Sequence, residues 1–186
     1  MKKILMAIAL VGAFTNFANA QESAAELRKK PLEAMEQLSG LVGAWQSRVE
    51  YSADNGQTWQ AAGGGRAEYK LKHKGVMLHE QPLDTDQPGF HMDTSYGYDQ
   101  YRDVYRVVAV DDVWGIFDLY EGQIEGNNLI ITNLKAATFF PVAEGVWRGF
   151  RLNIELSGDT RTTVIDKTDD GGETWQPNFR ITYTKL

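Results

Sequence analysis

Two charged residues stand where strand alternation turns them toward a core. In 75–82, Val76 and Leu78 share a face with Glu80; in 102–110, Val104, Val108 and Val110 share one with Arg106. Successive strand side chains point to opposite faces, so if these apolar faces look inward, an acid and a guanidinium go with them. A charge buried alone is costly. Such a pair would neutralise itself, bond to tyrosines, snorkel at strand ends, or hold a ligand. Arginine is shaped for the last role, because its parallel N–H groups match a carboxylate. Glu80 is the candidate catalytic group: an interior acid can give or take a proton in isomerase- or cyclase-like chemistry, with Arg106 stabilising charge. Tyr69, Tyr96, Tyr98, Phe117 and Tyr183 fall on the same kind of face, and Arg148 opens the face of Phe150, Leu152, Ile154 and Leu156. These residues complete the candidate binding set. Their tyrosine hydroxyls would orient a ligand's polar end or simply satisfy one hydrogen bond each in a packed core.

Other chemistry is poorly represented. A metal would need His79, Glu80 and His91 to converge, yet adjacent strand residues face opposite ways, and His91 and Asp93 fall on a polar, outward face. No metal is expected. There is no nucleophile elbow, phosphate loop or dinucleotide fingerprint, so no cofactor is called for.

The elements that must position these residues are mostly strands. Short runs rich in Val, Ile, Thr, Tyr and Trp, separated by Gly, Asp and Asn, predict ten: 42–52, 57–72, 75–82, 90–98, 102–110, 113–121, 128–135, 147–157, 160–167 and 173–185. Gly63, Gly64 and Gly65 suggest a bulge or corner in the second. Residues 22–39 predict one helix, with Leu27, Leu32, Met35 and Leu38 as its stripe, Pro31 near its start and Gly40 as its stop. Short links favour sequential antiparallel pairing, hence a sandwich or an up-and-down barrel. In a barrel, every odd-to-even link lies at one end. The two longest links, 83–89 and 136–146, would then share a mouth, and the helix would enter at the opposite base.

The first twenty residues read as a signal peptide. Lys2 and Lys3 precede an apolar run from Ile4 to Phe14, and Ala18-Asn19-Ala20 gives the cleavage pattern. The expected organisation is a signal peptide at 1–20, a helical segment at 21–40 and a barrel domain at 41–186, exported to the periplasm or beyond. Loss of the two lysines takes the formal charge from −6 to −8, which argues against nucleic acid. No later run is apolar enough for a transmembrane helix, and with no cysteines the fold has no disulfides.

One phrase occurs twice, 116 positions apart: SADNGQTW at 52–59 and TDDGGETW at 168–175. It resembles the Asp-box turn of sialidases and other secreted β proteins. In such a turn Asp54 and Asp170 would accept backbone N–H bonds, Gly56 and Gly172 would take positive φ, and Trp59 and Trp175 would pack back on the hairpin. Stacking a sugar on the tryptophans is the functional alternative to this structural role. LVGAW at 41–45 resembles the Gly-x-Trp start of lipocalins and related calycin barrels, with Gly43 and Trp45 in the motif positions. That resemblance implies a tryptophan plugging the base and a late arginine covering it, for which Arg180 is the nearest candidate. With GYDQYRDVY, YEG and the closing DDGGETW, the chain resembles a family of bacterial secreted proteins with calycin-like barrels. The family implies a fold and no particular activity. Haem barrels of the nitrobindin kind hold iron through a late histidine, and no histidine follows His91.

The expectation is therefore an all-β, about ten-stranded, antiparallel up-and-down calycin-like barrel with an N-terminal helix. Its expected function is to hold a small, partly apolar molecule inside. The competing expectations are an enzyme in the same interior, and a glycan or protein module at the rim of the repeated turns.

Overall fold

A computed structural model describes residues 24–186 apart from position 88. The expected signal peptide and the start at Gln21 lie outside the described residues. The helix α1 (Lys29–Glu36) follows a helical turn at 24–27, and Pro31 sits in its first turn, where a missing N–H costs nothing. Pro31, Ala34 and Met35 are its buried residues and Leu38 is buried just beyond its end, whereas Leu27 and Leu32 point outward. A 3₁₀ turn (Ser39–Leu41) then leads into the first strand. Gly40 is required there by close approach, since a Cβ would lie 2.1 Å from the Leu156 carbonyl oxygen.

Eleven strands follow: β1 (Gly43–Tyr51), β2 (Gln60–Lys72), β3 (Met77–Pro82), β4 (Met92–Asp99), β5 (Val104–Asp111), β6 (Phe117–Glu125), β7 (Asn128–Thr132), β8 (Phe140–Ala143), β9 (Val146–Glu155), β10 (Thr160–Thr168) and β11 (Gln176–Lys185). Ten of them close into an antiparallel barrel, with β7 joined to β9 and β11 to β1. The short β8 pairs with β9 outside that ring. It was read from sequence as part of a long link; Pro141 suits such an edge position. A bulge at Ala62 shifts the β1–β2 register beside Gly63, whose φ of 133° few other residues adopt.

The topology puts the β1–β2, β3–β4, β5–β6, β7–β9 and β10–β11 connections at one end, the mouth. At the other end α1 closes the base, where the buried Tyr105 hydroxyl donates to the Ala34 carbonyl at 2.8 Å. Trp45, Tyr69, Leu78, Tyr105 and Tyr183 fill this lower half. No helix among the described residues is long and apolar enough to cross a membrane.

Candidate functional site

Cross-strand partners point to the same side of a sheet, so register fixes the barrel's interior. Just above Trp45, the residues Ser47, Tyr183 and Arg161 face inward together. Above them come Val49, Ile181 and Thr163, then Tyr51, Phe179 and Ile165. The floor is sealed: Trp45 has no exposed surface and Arg161 only 1%. The wall above differs. Val49, Leu152, Ile165, Phe179 and Ile181 are apolar yet each keeps partial access to solvent.

Glu80 faces this interior, as its place beside Leu78 predicts. The Tyr96 hydroxyl donates to its Oε2 at 3.1 Å, and Tyr69, Tyr183 and Thr94 surround it. Burial raises its pKa, and the neighbouring tyrosines and Arg161 oppose that rise. Burial also pushes Tyr69 and Tyr96 well above the ordinary phenol value, so these hydroxyls keep their protons. Tyr69, Tyr96 and Tyr183 form one cluster, with ring centroids 6.4 Å and 6.3 Å from Tyr69.

The interior cation is Arg161, not Arg106. Tyr105, Val107 and Ala109 are the buried residues of β5, which turns Arg106 to the outer face. There it pairs with Asp99 and Glu121, each at 3.3 Å. Both faces of this strand are largely apolar, so alternation alone pointed to the wrong one. Arg161 also replaces Arg180 as the cover of Trp45: its guanidinium carbon lies 4.7 Å from the Trp45 ring centre, 4.9 Å from Tyr69 and 3.9 Å from Tyr183. Trp45 in turn donates from Nε1 to the Leu41 carbonyl at 2.8 Å. Among the described residues, Arg161 Nε and Nη2 are buried with no hydrogen-bond partner. Sequence reading missed Arg161 because its face continues with Thr163 and carries no apolar stripe.

The remaining candidates lie apart from this cluster. Phe117 is 64% exposed on the outer face. Its strand starts four residues later than expected because the Asp111 carboxylate accepts the backbone N–H groups of Val113, Trp114, Gly115 and Ile116. Arg148 faces in at the mouth, but Asp169 occupies its fork, at 2.8 Å from both Nε and Nη2. Tyr98 lies toward the base and donates to Asp103 at 2.5 Å, a bond that pushes its pKa up to about 12. On the outer face His79 bonds Asp93, and His91 Nδ1 lies 2.7 Å from Asp112. Among the described residues no group of three acids and histidines could hold a metal.

The repeated turns match bond for bond. Thr58 N–H and hydroxyl donate to Asp54 at 2.8 and 2.6 Å; Thr174 does the same to Asp170 at 3.0 and 2.6 Å. Gly56 and Gly172 have φ of 89° and 97° and donate to the Ser52 and Thr168 hydroxyls. These bonds lower the Asp54 pKa to about 2 and hold Asp170 lower still. The unit is longer than the quoted phrase. Four residues before each Asp stands another acid, Glu50 or Asp166, which grips an arginine of the neighbouring strand, Arg180 or Arg151. Trp59 then stacks on Arg180 at 4.5 Å and Trp175 on Arg151 at 4.6 Å. Each copy therefore clamps three adjacent strands across the outer face.

No curated protein matches the chain. Among solved structures, that titled "Crystal Structure of Rv2717c from M. tuberculosis" is similar at 18% identity and a TM-score of 0.48, over 82% of this chain and 97% of that one. Residues 30–185, which span the helix, the barrel and both repeated turns, match the family described as "Protein of unknown function (DUF1579)". The chain belongs to that family.

Proposed function

We propose that this protein is exported and holds a small, partly apolar molecule inside its barrel. The polar end rests on Glu80, Tyr69, Tyr96 and Tyr183, and the body lies against the wall of Val49, Leu152, Ile165, Phe179 and Ile181. One observation carries the reading: the wall is apolar but still open to solvent, while the floor beneath it is polar and closed. An apolar surface with a few convergent polar groups is the usual make-up of a small-molecule site. The export half of the reading rests on the basic, apolar and small-residue pattern of residues 1–20. The test is native mass spectrometry of protein exported in its own host and purified without detergent. An added mass that leaves on denaturation is the expected result. A bare mass, with no thermal shift on adding an extract of that host, refutes it.

The placement of Glu80 inside the barrel, with the Tyr96 hydroxyl donating to it at 3.1 Å, favours a second reading, acid–base catalysis in the same interior, because burial raises a carboxyl's affinity for the proton it would exchange. Glu80→Gln would then retain the ligand mass and abolish turnover.

A further inference from the structure

The geometry points to a peripheral membrane contact: the mouth of the barrel docks on a zwitterionic lipid surface through Phe90, Val113, Trp114 and Phe117. This contact lies outside the barrel interior and does not depend on what the interior holds.

Three links at the mouth expose apolar side chains where links ordinarily carry polar ones. On the β5–β6 link Val113 is 54% and Trp114 61% exposed, Phe117 follows at the start of β6, and Phe90 on the β3–β4 link is half exposed. Trp114 stands between Phe90 and Phe140, the first residue of β8, with ring centres 5.7 and 5.8 Å away. The rings therefore form one contiguous patch rather than scattered apolar residues. Polar bonds hold it in place. Asp111 accepts the N–H groups of Val113, Trp114, Gly115 and Ile116, which fixes the tip of the β5–β6 link. Asp112 accepts the His91 backbone N–H at 2.9 Å and its own N–H donates to the His91 carbonyl at 3.2 Å, which joins the first two links. The Leu119 N–H donates to the Thr138 hydroxyl at 3.1 Å, which joins the third.

Hydrogen bonding and charge together say what covers this patch. A backbone N–H that enters a water-poor layer without a partner is costly, and the four at this tip are already bonded to Asp111. Tryptophan and phenylalanine are side chains that settle at the boundary between lipid headgroups and acyl chains. The acids bordering the rings are engaged locally: Asp84 by Arg66, Asp112 by His91, and Asp169 by Arg148. Exposed Asp86 and Glu144 on the same links, and a formal charge of −6 on the chain, add a negative excess that opposes an anionic surface. A zwitterionic headgroup layer is the complement of such a mouth. A second copy of the chain would need a self-complementary face, whereas these rings are inclined by 49° and 74° to one another.

The test is flotation with vesicles of phosphatidylcholine or of phosphatidylglycerol, using wild-type and variant protein exported in the same host. Wild type is expected to float with phosphatidylcholine and less with phosphatidylglycerol. Val113→Ser combined with Trp114→Ser should weaken partitioning into phosphatidylcholine at least about ten-fold. Phe117→Ser should weaken it by a smaller factor, and serves if the double variant does not fold. Tyr101→Ser removes an aromatic ring that is 80% exposed on the β4–β5 link, at the opposite base, and should change nothing. Wild type that stays with the soluble fraction, or that floats with phosphatidylglycerol alone, overturns the assignment. So does flotation that survives both substitutions at the mouth, or that falls equally with Tyr101→Ser. Sedimentation equilibrium is expected to give a monomer; a dimer that the double variant dissolves would mean that a second copy covers the patch. Each of these failures leaves the interior-ligand reading to be decided by the native mass.

Discussion

Glu80 ties the interior to a measurable pH dependence of folding. Its ordinary value is 4.5, and burial raises it in the folded chain. Between 4.5 and the raised value, the unfolded chain releases a proton that the folded chain retains. Wild-type stability attributable to this group is therefore full below 4.5 and is lost as pH rises to the folded value, beyond which the loss is constant. Each pH unit in that window costs about 1.4 kcal/mol. Glu80→Gln does not titrate and still offers an oxygen to the Tyr96 hydroxyl, so its stability relative to wild type should climb at that slope. A fixed offset of about 1 kcal/mol allows for altered hydrogen bonding. The many aspartates with lowered values act in the opposite direction, but they are common to both proteins and cancel in the difference. Urea unfolding followed by tryptophan fluorescence, from about pH 4 to about pH 8, measures it. Parallel pH profiles would refute the buried placement of this carboxyl.

Trp45→Phe should cost about 3 kcal/mol by urea unfolding, since it leaves a gap under Arg161 and strands the Leu41 carbonyl. Tyr105→Phe removes the one hydroxyl that ties β5 to α1, and should cost about 1–3 kcal/mol and raise amide exchange in the helix. Asp54 should titrate near 2 by carboxyl NMR, and Thr58→Ala should move it back toward 3.8. A double-mutant cycle on Trp59 and Arg180 should give a coupling of about 0.5–2 kcal/mol, matched by Trp175 and Arg151. Unequal couplings would mean that the two copies of the unit are not equivalent.

Much of the barrel was legible in the sequence. The ten ring strands, the shared mouth of the long links and the inward placement of Glu80, Tyr69, Tyr96 and Tyr183 all follow from period-two alternation and short turns. Where alternation carried no contrast, it failed. β5 has valines on both faces, so nothing local separated Tyr105, Val107 and Ala109 from Val104, Arg106 and Val108; the tie to Ala34 does, and it spans 71 positions. The VWGI run ahead of β6 reads as strand by composition, but one aspartate carboxylate binds its backbone into a turn. Arg161 is the instructive case. Its neighbours in sequence are polar, and its role appears only through Tyr183 across the ladder and Trp45 from the first strand.

The two clamps on the outer face have different histories in a folding chain. The clamp built on Arg151, Asp166 and Trp175 joins three consecutive strands within about 25 residues, so it can assemble as soon as the C-terminal end collapses. The one built on Glu50, Trp59 and Arg180 spans 130 positions and cannot form until β11 meets β1. The same ten-residue unit thus lies once among contacts local in sequence and once on the closing seam of the barrel. Weakening the first should slow folding, and weakening the second should mainly hasten unfolding.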